Sequence, residues 1–188
     1  MSLRKPKIYL DMDGVIANFV SGAFSLFNKQ YKEREYQRGT WAMWDELGVT
    51  EEEFYHRLSQ QGVPFWEHLP VFPWAHDLVY RLCEVSTPII CTHPTKDPEC
   101  YAGKRRWLMK HIHFHNLEVI TMKDKYELAR AGTMLIDDNG GNCRKFTQRG
   151  GVSIIFPQPW NNYADLPDPD RVNRVEYILD EVQRHWKG

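Results

Sequence analysis

Five short apolar runs punctuate the chain, at residues 7–12, 88–92, 117–121, 133–136 and 152–156. Apolar runs this short, bounded by turn-forming or polar residues, have the pattern of strands buried on both faces, as in a parallel sheet. Longer amphipathic stretches between them predict helices over 74–84, 98–111, 124–131 and 141–149, and a last one over 171–186. Each is about long enough to cross over one strand. This alternation builds βαβ units and predicts an α/β fold around a largely parallel sheet with helices on both faces. The Pro- and Asn-rich stretch 157–169 reads as a surface loop.

One segment breaks the rhythm. Residues 17–70 carry apolar and aromatic side chains at helical spacing, among them Phe19, Phe24, Phe27, Phe54 and Leu58, with no clear strand. The segment predicts a helical insert directly after the first strand, dividing the chain into a core of residues 1–16 and 71–188 and an insert of 17–70. The ordinary role of its aromatics is to give a small helical body a core of its own.

The chain has 188 residues, 42% hydrophobic and 26% charged, which excludes disorder and a fibrous fold. With 24 Lys and Arg against 25 Asp and Glu, and no basic half or tail, the balance speaks against a nucleic-acid polymer as partner. Four cysteines without CxxC spacing read as reduced thiols, and a cytoplasmic location is expected. The leading residues read as neither a signal peptide nor a membrane span, and no later stretch approaches the ~20 apolar residues of a spanning helix, so no membrane partner is expected. Nothing in the pattern fixes the oligomeric state.

The chemistry sits at the strand ends. The first apolar run leads into Asp11-Met12-Asp13-Gly14, and a later one, Met134-Leu135-Ile136, ends in Asp137-Asp138. Ligands in open α/β sheets bind at the carboxyl ends of strands. A single Asp-x-Asp is also compatible with a turn or a helix cap; two acidic pairs, each closing an apolar strand, point to a shared site. Several carboxylates gathered there are costly without a cation among them, and an oxygen-only ligand set suits Mg²⁺.

These residues resemble the haloacid dehalogenase-like (HAD) phosphatase superfamily. Asp11-Met12-Asp13-Gly14 matches its first motif, Thr92 after Ile89-Ile90-Cys91 its second, a lysine its third and Asp137-Asp138 its fourth. The insert falls where that superfamily carries its C1 cap, and a Rossmann-like core is implied. A nearer likeness is to the 5'(3')-deoxyribonucleotidases. It rests on Asp11 to Val15 followed by Phe19, on Arg38-Gly39-Thr40-Trp41, on Cys91-Thr92-His93-Pro94, on Lys104-Arg105-Arg106-Trp107 and on Leu135-Ile136-Asp137-Asp138. The chain departs from that family at His93, where Ser is usual, and at Thr40, where an aromatic is usual. Lys123 and Lys125 both precede the acidic strand; Lys125 is favoured as the third-motif lysine.

The resemblance implies Mg²⁺-dependent hydrolysis of a nucleoside 5'-monophosphate and, within that class, of a deoxyribonucleotide. Asp11 would be the nucleophile and Asp13 the general acid and base. Asp11, Asp13 through its backbone carbonyl, Asp137 and Asp138 would surround the metal. Thr92, His93, Lys125 and Lys104 would face phosphate, and Phe19, Trp41 and Phe65 would form an apolar slot for the base. Two other readings stand beside this one: a phosphatase for another small phosphate ester, and a catalytically idle module that binds a nucleotide or a partner protein. His111, His113 and His115 read as histidines at a helix C-terminus rather than as a metal cluster. Of the basic run 104–106, Lys104 alone is kept as a site candidate.

Overall fold

In the computed structural model, residues 5–112, 117–161 and 173–186 are described below. Strand β1 (Lys7–Leu10) leads into four helices, α1 (Phe19–Leu26), α2 (Met43–Leu47), α3 (Glu51–Ser59) and α4 (Gly62–Glu67). Then come α5 (Ala75–Val85), β2 (Ile89–Thr92), α6 (Glu99–His111), β3 (Val119–Thr121), β4 (Thr133–Asp137), α7 (Gly140–Gln148), β5 (Val152–Ile155) and α8 (Arg174–Trp186). The strands form one sheet in the order β3-β2-β1-β4-β5, with every pairing parallel.

Alternation along the strands divides the core. Ile8 and Leu10 of β1 join Ile90, Met134, Ile136 and Ile154 on one face, in a cluster that also holds Leu78 and Leu82 of α5, Trp107 of α6 and Ile178 of α8. Tyr9, Ile89, Cys91 and Leu135 face the other way and meet Phe146 of α7. Helices therefore cover both faces of the sheet, as the apolar runs predict. Among the described residues no helix is long and apolar enough to cross a membrane.

The chain order reverses at β1, which lies between β2 and β4. Register puts the carboxyl ends of these strands side by side: Leu10 pairs with Ile136, and Asp11 N–H donates to Ile136 O at 2.9 Å. Such a switch point leaves a crevice at the strand ends.

Both passages between the sheet and helices α1–α4 run through one place. Ala17 and Val71 form an antiparallel bridge, Asn18 N–H donates to Pro70 O at 2.7 Å, and Phe72 N–H donates to Ile16 O at 3.1 Å. Helix α3 is closed at its start by a capping box between Thr50 and Glu53.

Two expectations are corrected. The helix over 124–131 is a single 3-10 turn, Lys125–Leu128, held by contacts such as Glu127 N–H to Asp124 O at 3.0 Å. Its first residue turns inward to the strand ends, which a longer helix on the sheet surface would not allow. The expected surface loop after β5 is instead buried over residues 157–161, because Gln158 and Asn161 supply hydrogen bonds to backbone at the sheet's carboxyl edge. Residues 162–169 of that loop, residue 170, residues 171 and 172 of the expected last helix, and His113 and His115 lie outside the described residues.

Candidate active site

Asp11 leaves β1 at the sheet's carboxyl edge and is buried beside Asp137 and Asp138 at the end of β4. One carboxylate oxygen from each of these three lies within 4.8 Å of the others. Lys125 Nζ bridges two of them, 2.7 Å from Asp11 Oδ1 and 2.7 Å from Asp137 Oδ2. Asp137 is further held by Asn139 N–H at 2.8 Å and by Asn142 Nδ2 at 3.1 Å. Met12 N–H donates to Asp11 Oδ1 at 2.7 Å, so this oxygen takes both the Met12 and the Lys125 contacts.

Three carboxylates against one ammonium leave the cluster short of positive charge. Burial, followed by the repulsion of Asp137 and Asp13 against the pull of Lys125, raises the Asp11 carboxyl to about 7. Burial and the charges of Asp11 and Asp137 likewise push Asp138 well above the usual carboxylate range. Burial opposes the charge on Lys125, but the two carboxylates beside it win and hold its ammonium above the ordinary lysine value. A divalent cation among Asp11, Asp137 and Asp138 would relieve this imbalance, and the oxygen-only donor set suits a hard ion.

A second ion pair stands next to the first. Lys104, on α6, is buried and ion-paired with Asp13 Oδ2; it also donates to Thr92 Oγ1 at 2.9 Å and to His93 O at 2.9 Å. The other oxygen of Asp13, Oδ1, is buried with no hydrogen-bond partner among the described residues. Gly103 makes the approach of α6 possible, since a Cβ there would stand 2.4 Å from Trp66 Cβ. Arg105 and Arg106, by contrast, are exposed, as expected of the solvated side of a basic run.

Gly14 holds the turn after Asp13 with φ +77°, and a Cβ on it would fall 2.1 Å from Asp138 Oδ2. Only glycine fits both demands. His93 is exposed at the edge of the cleft; burial of part of its ring, and then Lys104, Lys125 and Lys123, lower its affinity for a proton below the usual histidine value. Of the two candidate lysines, Lys125 reaches Asp11 and Asp137, while Lys123 is exposed on the cleft wall.

Facing this polar wall, the helical segment supplies rings. A cleft of about 1520 Å³ is lined by Asp11, Asp13, His93, Lys125 and Asp138 on one side and by Phe19, Trp41 and Trp66 on the other. Phe19 lies between two indoles, parallel to Trp66 with centroids 5.5 Å apart and to Trp41 at 6.3 Å. Phe65, expected in the same slot, packs on this group without lining the cleft. Its half-buried ring stands edge-on to Phe19 at 6.0 Å and to Trp66 at 5.1 Å, while Trp66, itself only 2% exposed, is the neighbour that borders the cleft. A one-residue change of helical phase separates the two, and sequence alone offered no means to choose between them.

The sequence reading also passes over Trp160 and Asn161. Trp160 Nε1–H donates to Asp138 Oδ2 at 2.7 Å, and Asn161 Nδ2 donates to Asp138 O at 2.9 Å. A usable signal exists, because residues 157–161 directly follow β5 and so lie at the same ligand-binding edge as the two acidic pairs. His111, the described member of the histidine cluster, is half-buried, with its ring against Trp107 at 5.0 Å.

The family model described as "5' nucleotidase, deoxy (Pyrimidine), cytosolic type C protein" matches residues 5–178. Among curated proteins, the mitochondrial 5'(3')-deoxyribonucleotidase of Mus musculus is 27% identical over 201 aligned positions, covering 100% of this chain and 86% of that protein. The cytosolic-type 5'(3')-deoxyribonucleotidase of Homo sapiens is 26% identical over 179 positions, covering 89% of this chain and 88% of that one. Among solved structures, a haloacid dehalogenase-like family hydrolase of Streptococcus pneumoniae superposes with TM-score 0.58 at 16% identity, covering 95% of this chain and 99% of the other. A HAD-hydrolase of Bacillus subtilis bound to magnesium gives 0.56 at 14% identity, again covering 95% and 99%. The structural likenesses show the fold, an α/β core of the haloacid dehalogenase type.

Proposed function

The chain belongs to the cytosolic type C deoxynucleotidase family, whose members are phosphoric monoester hydrolases, and from that premise we propose that it hydrolyses a deoxyribonucleoside 5'-monophosphate through an aspartyl-phosphate on Asp11. The observation that carries the reading is the cluster of Asp11, Asp137 and Asp138 around Lys125 at the switch point of the sheet, with Asp13 two residues from Asp11. The names of the curated relatives support a deoxyribonucleotide as substrate.

Asp11, with Oδ1 engaged by Met12 N–H and Lys125, attacks phosphorus through Oδ2. As that bond forms, the bond from phosphorus to the 5' ester oxygen breaks, and Asp13 gives the leaving oxygen a proton. Asp13 then takes a proton from a water that attacks the same phosphorus, releasing phosphate and restoring the Asp11 carboxylate. Lys104 holds Asp13 by its Oδ2 and keeps it turned toward Thr92. Thr92 and Lys125 bind phosphoryl oxygens, Thr92 by its hydroxyl and Lys125 by its charge, and His93 borders the same space. Asp11, the Asp13 backbone carbonyl and Asp138, with Asp137 beside them, would hold Mg²⁺, which when bound supplies neutralisation of phosphoryl charge. Residues 17–70 act as a cap whose rings Phe19, Trp41 and Trp66 receive the base.

Phosphate release from a panel of deoxyribonucleoside and ribonucleoside monophosphates and sugar phosphates, with and without MgCl₂, tests the reading. Mg²⁺-dependent release with a preference for deoxyribonucleotides is the expected result. A preference for a sugar phosphate would move the substrate elsewhere, and no release from any member would leave a binding module.

A further inference from the structure

Trp160 is the one side chain among the described residues that hydrogen-bonds an acid of the cluster and also makes ring contact with the aromatic wall opposite. Its indole Nε1–H donates to Asp138 Oδ2 at 2.7 Å, and its ring meets Trp41 edge to face with centroids 5.5 Å apart. Tyr36 closes on it from a second direction at 5.8 Å. The backbone on either side is tied down as well. Gly39 N–H donates to Pro159 O at 2.8 Å, and Asn161 Nδ2 bridges Asp138 O and Phe156 O. The residue is 5% exposed, so its indole has little freedom to leave the carboxylate.

We propose that Trp160 is a positioning residue for the divalent cation: it engages Oδ2 of Asp138 and so reserves Oδ1 for the ion. This rests on the reading of Asp11, Asp137 and Asp138 as the cation site. The physical basis is general. A carboxylate that must rotate into place loses conformational freedom on binding, whereas one already held by a buried donor does not, and removing such a supporting donor typically weakens metal affinity 10- to 100-fold. The ring contacts with Trp41 and Tyr36 do not depend on the indole N–H. Trp160→Phe therefore keeps most of the packing and removes the donor, and Trp160→Ala removes both.

The test is a titration with MgCl₂ alone, read as the rise in melting temperature, on the parent chain, Trp160→Phe and Asp138→Asn. Trp160→Phe should need roughly tenfold more MgCl₂ to reach the midpoint. Raised MgCl₂ should recover most of its lost turnover, and its KM for a deoxyribonucleotide should stay within about twofold, while Trp160→Ala raises that KM too. A lower melting temperature without metal but an unchanged midpoint would mean a purely structural tryptophan and would overturn the proposal. If Asp138→Asn abolishes the Mg²⁺ response and Trp160→Phe leaves it intact, the role of Trp160 falls and the cation site stands. If neither changes it, the cation site falls as well. Should Trp160→Phe fail to fold, the parent chain labelled with ¹⁵N at its seven tryptophans carries the test. One indole N–H resonance should move along the MgCl₂ titration, and seven unmoved resonances would overturn the proposal.

Discussion

On the sheet side of the cleft, Asp11 and Asp137 owe their places to backbone pairing: Leu10 is in register with Ile136, and Asp11 N–H bonds Ile136 O. On the helical side, Phe19, Trp41 and Trp66 owe theirs to one another, ring against ring. The difference separates two kinds of consequence. A side chain at a strand end can be exchanged without moving the scaffold that presents it, because the ladder does not depend on it. A ring in the aromatic stack cannot, because it is scaffold and contact surface together. Chemistry should therefore be separable from stability on the first wall and entangled with it on the second.

The sharpest way to break this contrast is Asp11→Asn. Turnover should fall more than about 100-fold on nucleotides and on small aliphatic phosphate esters alike, since losing a covalent route costs several kcal/mol. Circular dichroism and a cooperative melt should show the fold intact. Residual activity above about one hundredth would remove Asp11 from the role of nucleophile.

Next in size is Trp41→Ala. A ring stacked on a base contributes about 1 to 3 kcal/mol, so KM for a nucleotide should rise roughly 5- to 150-fold. Hydrolysis of a small aliphatic ester should hardly change. Trp41 also stacks on Phe19 and meets Trp160, so some loss of melting temperature should accompany the change. Equal losses of activity on both substrates would make Trp41 a packing residue only.

Read in stability rather than in turnover is the response of the metal-free protein to pH. The Asp11 carboxyl is raised from 3.8 to about 7 by burial and by its acidic neighbours. The folded state thus binds this proton more tightly than the unfolded chain does. Its contribution is fully present below about pH 4 and is lost as pH rises through 7. That loss is on the order of 4 kcal/mol, or roughly 8 to 17 °C of melting temperature for a chain of this size. Melting curves between pH 4.5 and 8 in chelator should show the decline, MgCl₂ should flatten it, and Asp11→Asn should lack this part of it. A flat profile in chelator would mean that the acids are already neutralised within the protein.

The smallest expected effect concerns His93. Burial and three lysines lower its proton affinity below the ordinary value near 6.5, so its ring is neutral at pH 7.5. KM for a nucleotide should agree between the parent chain and His93→Ser within about threefold at pH 7.5 and diverge only as pH falls below the ordinary histidine range, as the ring takes up a proton and its imidazolium attracts phosphate. Divergence at pH 7.5 instead would give His93 a direct contact that its charge does not explain.

The same division governs what could be read from the sequence. Strands buried on both faces are near-continuous apolar runs, so β1, β2, β4 and β5 were visible to within a residue or two, and with them the edge where the acidic pairs converge. Lys125 emerged from its position ahead of β4, although the segment around it was expected to be helical. Ring contacts leave no comparable trace. Phe65 and Trp66 are adjacent, both large and both apolar, and only the phase of the short helix α4 against Gly103 decides which one reaches the cleft. Trp160 was hidden for another reason: a segment rich in Pro and Asn has the composition of a surface loop whether or not its polar side chains turn inward to satisfy the sheet edge.

The adjoining passages at Ala17 and Val71 carry a consequence for how this architecture tolerates change in length. The antiparallel bridge and the bond from Asn18 N–H to Pro70 O bring the two ends of helices α1–α4 together, so the roughly fifty residues between them make, for the sheet, a single closed excursion. Closing such an excursion costs an entropy that grows only with the logarithm of its length, about 0.6 kcal/mol for each doubling. Between these two anchor points, segments could be lengthened, shortened or exchanged for others with little penalty to the strand register that holds Asp11 beside Asp137. The graft point is the part that must be kept.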